Sequence, residues 1–172
     1  GSSSGAGVSL CQGSALIAMG TDTGGSVRIP ASVTGNVGLK ITINRWSTSG
    51  IVPLSSTFDT PGPLTRNVSD SIIAFGVIDP SYSNPIDLLK KLESFSLSNF
   101  NVAICDEYFW ENCEPTISEA VHHAIAELSA KGLKVTKISL PEAALARQSS
   151  LKGGIFGAEG QSFIEEYYPE RM

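Results

Sequence analysis

Hydrophobic and polar positions follow two regimes along the chain. Over residues 1–66, Gly, Ser, Thr and Pro dominate and charges are few, which predicts loops and short buried strands rather than a surface helix. The exception is 6–18, where Ala6, Gly7, Ser9, Gly13, Ser14 and Ala15 predict one helix whose small residues permit close packing. Beyond residue 66 the periodicity is cleaner. Asn67 with Asp70 three positions on has the form of a cap, leading a helix that carries Val68, Ile72, Ile73 and Phe75. Residues 79–85 are turn-rich, and 86–92 read as one or two amphipathic turns. Asn101–Cys105 is a largely apolar run of strand length. Thr116 and Glu119 predict a capping box for a helix with Ile117, Ala120, Val121, Ala124, Ile125 and Leu128 at helical spacing. Lys131 and Gly132 end that helix, residues 133–140 alternate as a strand, and Pro141 begins another helical stretch.

Strand, helix, strand in that order is a βαβ-like unit, so the fold class is α/β. No internal repeat or true linker interrupts the chain, which reads as one domain or part of one. With 172 residues, 41% of them hydrophobic, there is enough apolar surface for a core of ordinary single-domain size.

Charge narrows the partners. The net charge is −5 and the 12 Lys and Arg are scattered, so no basic stripe marks a nucleic-acid footprint. No apolar run approaches the roughly 20 residues that span a bilayer, and the chain opens without the basic and apolar regions of a signal peptide. Direct contact with nucleic acid or membrane is therefore not expected. The 3 cysteines, Cys11, Cys105 and Cys113, are odd in number and lack metal-ligand spacing. They predict reduced, buried thiols in a cytoplasmic protein. No metal or cofactor is implied, and a homodimer is compatible with the composition.

The stretch richest in chemistry is Gly20-Thr21-Asp22-Thr23-Gly24-Gly25-Ser26-Val27-Arg28-Ile29-Pro30. Adjacent glycines let the backbone bend sharply and leave successive N–H groups pointing one way. Those donors suit an oxyanion forming beside the Ser26 hydroxyl, a nucleophile if a base lies within reach. Read alone, Gly-Gly-Ser is most often only a turn. A phosphate loop is excluded although Gly20 and Gly25 have its spacing, because Ser26 stands where the lysine belongs. The nucleophile elbow of lipases also fails, since Arg28 replaces its last glycine.

In longer context, "GSSSGAGVSL", "GTDTGGSVRIPASVTGNVGLK" and "GIVPLSSTFDTPGPLTRNVSD" together resemble the amidase-signature family over about residues 1–80. Residues 101–140 resemble the family's later strand–helix–strand more loosely. The resemblance implies the central portion of an α/β/α sandwich with a mixed sheet. Residues 1–172 would form a partial domain, with 1–80 as signature core and 81–172 as the later strand–helix–strand portion. Residues 1–5 also have the form of an expression-tag remnant, but the stretch "AGVSLCQGSALIAMG" continues as the family's helix at the right distance from Ser26.

The resemblance implies a Ser–Ser–Lys triad, with Ser26 as nucleophile and Ser2 as the bridging serine that the family holds beside a cis peptide bond. A one-residue misalignment would pass that role to Ser3 or Ser4. The implied oxyanion donors are the N–H groups of Thr23, Gly24, Gly25 and Ser26, with Asp22 and Arg28 bracing the loop. A serine hydroxyl is too weak an acid to ionise unaided. Ser2 would relay its proton to a neutral lysine whose pKa is lowered by burial. In the family that lysine precedes the serine-rich loop, and here nothing precedes Gly1. Lys40 matches a different family position and is not promoted to base. The chain as given is thus expected to be catalytically incomplete, and to stop before the family's C-terminal part.

The implied activity is hydrolysis of a small-molecule carboxamide to an acid and ammonia or an amine. The alternatives are the A subunit of a glutamyl- or aspartyl-tRNA amidotransferase, or a truncated non-catalytic binding protein. "FDTPGPLTR" is closer to general amidases than to that amidotransferase component. Other chemistry-bearing residues are read as structural. His122 and His123 are adjacent on a helix and point about 100° apart, so they do not share a metal. Glu107, Glu111 and Glu114 are surface carboxylates near a helix start. Phe100, Tyr108, Phe109 and Trp110 cover a core edge, and Asp59 with Gly62 and Pro63 resembles a turn of the family, with a structural role only.

Overall fold

A computed structural model describes residues 2–105 and 108–171. The chain forms two compact units, one made of residues 1–92 with 153–172 and the other of 93–152.

The first unit begins with helix α1 (Ser4–Cys11), strand β1 (Ile17–Asp22) and the short helix α2 (Arg28–Val33). Strands β2 (Val37–Gly38) and β3 (Thr60–Thr65), then helices α3 (Val68–Ile78) and α4 (Pro85–Glu93), follow, and α7 (Gly154–Tyr167) belongs to the same unit. The sheet order is β1-β3-β2, with both pairings antiparallel. Its register sets Ile17 opposite Thr65 and Asp22 opposite Thr60. Leu10, Val27, Ala31 and Leu64 form the core cluster, with Ala6, Ala15 and Ala18 packed on it. Small residues of the first helix and strand thus bring α2 and the sheet together, a close-packed interior reached with few large side chains.

Two expectations for the first unit do not hold. The helix expected over 6–18 ends at Cys11, and Ile17 and Ala18 lie in β1. Gly13, at φ 72, turns the chain from one element to the other. Of Asp59, Gly62 and Pro63, only Asp59 lies in a turn, where its N–H returns to the Ser55 carbonyl at 2.9 Å. Residues 60–65 are a fully buried strand.

Two prolines in a strand flanked on both sides are tolerable because of the direction they face. Leu39 N–H donates to the Pro63 carbonyl at 3.0 Å, so Pro61 and Pro63 face the β2 side. There β2 pairs only with Leu64 and Thr65. Gly62 permits the close approach: a Cβ at that position would stand 2.3 Å from the Leu39 carbonyl oxygen.

Helix α3 starts as the sequence predicts. Asn67 Oδ1 accepts the Asp70 N–H at 2.8 Å, and its side-chain amide donates to Asp70 Oδ2 at 2.9 Å. The 79–85 turn holds a buried carboxylate that the sequence does not announce. Asp79 accepts from Arg45, from Trp46 Nε1 at 2.9 Å and from the Ser81 N–H at 3.0 Å. The Arg45 hydrogen bonds, joined by those from Trp46 and Ser81, outweigh the opposing effect of burial and hold its carboxyl far below the ordinary range.

The second unit contains β4 (Asn101–Cys105), α5 (Pro115–Ala130), β5 (Lys134–Ile138) and α6 (Glu142–Leu151). β4 and β5 pair in parallel, Asn101 opposite Lys134, as a strand–helix–strand unit requires. The capping box expected from Thr116 and Glu119 does not form. Glu114 is the N-cap, without a side-chain hydrogen bond, and Pro115 opens the helix, where its missing N–H costs nothing. Gly132 ends the helix at φ 101, and the Leu133 N–H returns to the Leu128 carbonyl at 3.1 Å. Glu107 lies outside the described residues, while Glu111 pairs with Arg147 at 2.7 Å. His122 and His123 are both exposed on α5. His122 stacks on Trp110 at 4.4 Å.

The cysteines depart from expectation: Cys11 is exposed and Cys105 and Cys113 are half-buried, so none is a core thiol. Cys11 sits at the open end of α1, with its Sγ 3.2 Å from the Thr34 carbonyl oxygen. Among the described residues, no helix is long and apolar enough to cross a membrane.

Candidate active site

The Gly-Gly-Ser loop joins the end of β1 to the start of α2, and one buried carboxylate shapes it. Asp22 is fully buried at the last position of β1. Its Oδ1 accepts the Gly25 N–H at 2.7 Å, and its Oδ2 accepts the Val27 N–H at 3.2 Å and the Arg28 N–H at 3.4 Å. The Arg28 guanidinium closes the ring, with Nε and Nη2 each 3.0 Å from the carboxylate. This bidentate pairing places the two opposite charges across the turn. Burial acts to raise the Asp22 pKa, but the hydrogen bonds from Arg28, Val27 and Gly25 outweigh it and hold the carboxyl below its ordinary value. The chain reverses at Gly25, whose φ of 132° a side chain would disfavour.

This geometry corrects one of the four expected oxyanion donors. The Gly25 N–H is committed to Asp22 and is not available to a substrate oxygen. The N–H groups of Thr23, Gly24 and Ser26 have no hydrogen-bond acceptor among the described residues. Thr23 is itself anchored, since its hydroxyl donates to Asp59 Oδ1. Asp59 Oδ2 in turn accepts the N–H groups of Leu54 at 2.8 Å and Ser55 at 3.0 Å.

Ser26 is half-buried and lines a pocket of about 440 Å³ with Ser2, Ser4 and Val8 from the first segment and Ile29 and Val33 from α2. The serine-rich loop and the nucleophile loop therefore meet at one opening. Among the described residues no hydrogen bond joins the Ser2 and Ser26 hydroxyls, and such contacts commonly tighten only with substrate bound. Ser3 is separated from the pocket. It caps α1 at φ 54, and its hydroxyl lies 3.5 Å from the Thr21 carbonyl oxygen, against the strand. Of the alternatives to Ser2, only Ser4 shares the opening. Every peptide bond among the described residues is trans, unlike the cis bond the resemblance places beside the bridging serine. Lys40 donates to the Ile41 carbonyl at 3.0 Å and is not among the pocket residues.

Sequence reasoning missed a second acidic anchor in this unit. Glu159, on α7, accepts from the Ser55 hydroxyl, from Thr57 Oγ1 at 2.6 Å, from the Thr57 N–H at 3.3 Å and from Ser56 Oγ at 3.3 Å. Hydrogen bonds from Ser55 and Thr57 hold its carboxyl below the ordinary range. Its partners lie more than a hundred positions away in the chain, so no local pattern marks it.

The chain is similar to several known proteins. The chain is 42% identical over 172 residues to 2-amino-5-chloromuconic acid deaminase of Comamonas testosteroni, covering 100% of this chain and 36% of the relative. It is 38% identical over 150 residues to the A subunit of the glutamyl-tRNA(Gln) amidotransferase of Chlorobium phaeobacteroides, covering 83% of this chain and 31% of that one. The crystal structure of the corresponding protein from Thermotoga maritima superposes with a TM-score of 0.75 at 26% identity, over 97% of this chain and 38% of that one. The chain thus spans about a third of the length of the curated relatives it matches. With the Amidase family model matching residues 1–166, across the serine-rich loop, the Asp22-braced turn and the β4–α5–β5 unit, the chain belongs to the amidase family.

Proposed function

We propose that this chain supplies the nucleophile and oxyanion-binding part of an enzyme that hydrolyses small-molecule amides. The observation that carries the reading is the convergence of Ser26, at the Asp22-braced Gly24-Gly25 bend, with Ser2 on one pocket. Ser26 Oγ attacks the amide carbonyl carbon, and the carbonyl oxygen takes up the negative charge. The N–H groups of Thr23, Gly24 and Ser26 face that oxygen, a stabilisation held in place before reaction begins. Ser2 carries the hydroxyl proton to a lysine base, the member of the triad implied by family resemblance, and returns it to the departing nitrogen. Water then attacks the acyl ester on Ser26 and releases the acid.

On this reading residues 1–172 are part of one amidase-signature domain acting in the cytoplasm, with a second copy of the chain as the candidate partner. The deaminase relative supports a substrate whose product nitrogen leaves as ammonia. A second reading, as the A component of a tRNA-dependent amidotransferase, is supported by the Chlorobium relative. It predicts ammonia release from glutamine that rises when aminoacyl-tRNA is added together with the other proteins of such a complex.

The test is fluorophosphonate labelling of the protein at its natural full length. Ser26 is expected to take the label, and Ser26→Ala to lose both label and amide hydrolysis, with kcat falling about 10⁴-fold or more. Amide hydrolysis at the original rate in Ser26→Ala overturns the assignment.

A further inference from the structure

Two carboxylates outside the expected triad converge on Ser55. Its hydroxyl donates to Glu159 of α7, while its N–H donates to Asp59 at 3.0 Å. Ser55 is fully buried, so neither bond is readily exchanged for water. The turn around it is tight: the N–H groups of Phe58 and Asp59 both return to the Ser55 carbonyl, at 3.3 and 2.9 Å. Thr57 is held to the same Glu159 through its hydroxyl and its N–H. The 55–59 turn is thereby pinned on one side by α7. On the other side Asp59 reaches across to the Thr23 hydroxyl. Thr23 begins the run of amides beside Ser26, and Asp22 fixes only the far half of that run, at Gly25, Val27 and Arg28. The near half has Asp59 as its side-chain anchor.

We infer that Glu159 and Asp59 are positioning residues for amide hydrolysis, a relay from α7 through Ser55 to Thr23 that aims the Thr23 and Gly24 N–H groups at the developing oxyanion. This rests on the amide-hydrolase reading of Ser26. Neither carboxylate touches substrate. Their effect is on the orientation of the donors, and a displacement of about 1 Å at such donors costs on the order of 100-fold in rate. The relay acts where charge develops, so its loss lowers kcat and leaves KM nearly unchanged.

The experiment uses the full-length protein with an amide substrate that wild type turns over. Thr23→Val, which keeps the backbone amide and removes the hydroxyl, is expected to lower kcat about 10- to 100-fold. KM should stay within about twofold, as expected for an interaction made only in the transition state. Thr23→Ser restores the hydroxyl and should restore most of kcat. Glu159→Gln is expected to lower kcat about tenfold alone and to add little in the Thr23→Val background, because both changes break one chain of contacts. Equal losses from Glu159→Gln in both backgrounds, or a lowered Tm with kcat intact, would overturn the inference. Ser26→Ala separates the two ideas. If it abolishes hydrolysis while Thr23→Val and Glu159→Gln keep wild-type kcat, the relay alone is wrong; if it leaves hydrolysis intact, the nucleophile assignment is wrong.

Discussion

Replacing Asp22 with Ala removes the one acceptor that three backbone N–H groups and the Arg28 side chain share. Gly25 and Val27 are themselves buried, so their N–H groups would be left without water or protein partners. Each such orphan costs about 1–3 kcal/mol. The lost ion pair adds less than a fully buried one, because 54% of the Arg28 side chain is exposed and its charge can return to solvent. The expected loss is about 3–5 kcal/mol, in the range for removing one partner of a buried pair. Asp22→Asn keeps one acceptor but turns an amide N–H₂ toward donors, with an expected loss of about 2–3 kcal/mol. Urea unfolding followed by circular dichroism reads this as a lower midpoint at unchanged slope. The pH dependence gives a second check. The Asp22 pKa in the folded protein lies below its ordinary 3.8, so its stabilising contribution is complete above that pH and is lost as pH falls through the folded value. The gap between wild type and Asp22→Asn should therefore narrow below about pH 3.8 and stay constant from about pH 5 to 7. A loss under about 1 kcal/mol for Asp22→Ala, or a gap that does not change in acid, would refute the account of this carboxylate.

Other outcomes rest on the same contacts. Gly62→Ala places a Cβ against the Leu39 carbonyl and should destabilise by about 1–3 kcal/mol; faster hydrogen exchange at the Leu39 amide, which bonds Pro63, would localise the damage. Gly25→Ala combines a disfavoured φ of 132° with a Cβ 2.6 Å from Ile29 Cδ1, so serine-probe labelling of the full-length protein should slow even where the variant folds. Asp79→Asn should lower the urea midpoint at neutral pH, and the difference from wild type should shrink as pH falls below 3.8, since the Asp79 pKa is also depressed on folding.

What could be read from the chain beforehand depended on how far each interaction reaches. The Asn67–Asp70 cap and the Gly132 helix end involve neighbours three to five positions apart, and both form as the letters suggest. Thr116 and Glu119 have similar spacing, but Pro115 starts the helix two residues earlier, with Glu114 as the N-cap, and the box is bypassed. At 60–65 the composition allowed a short buried strand while the family resemblance pointed to a turn, and pairing with β1, 38 to 48 positions upstream, decides for the strand. The site divides in the same way. Asp22 and Arg28 are six positions apart and legible as a pair, whereas Thr23–Asp59 and Ser55–Glu159 span 36 and 104 positions and leave no local trace. The commitment of the Gly25 amide was hidden for a different reason. A twin-glycine bend suggests a row of donors, but which of them a neighbouring carboxylate takes is decided by torsion angles, not by residue type.

The prolines of β3 also act as a vernier on the sheet. They face β2 in the observed alignment, and a shift of one residue against β1 would turn both imide nitrogens toward that strand and cancel two rungs of the ladder. Misaligned pairings are thus discriminated against by chemistry built into the strand. The alignment that survives sets Asp22 opposite Thr60 and so brings Asp59 within reach of Thr23. Pro61 and Pro63 thereby calibrate the distance between the Gly-Gly-Ser loop and the 55–59 turn.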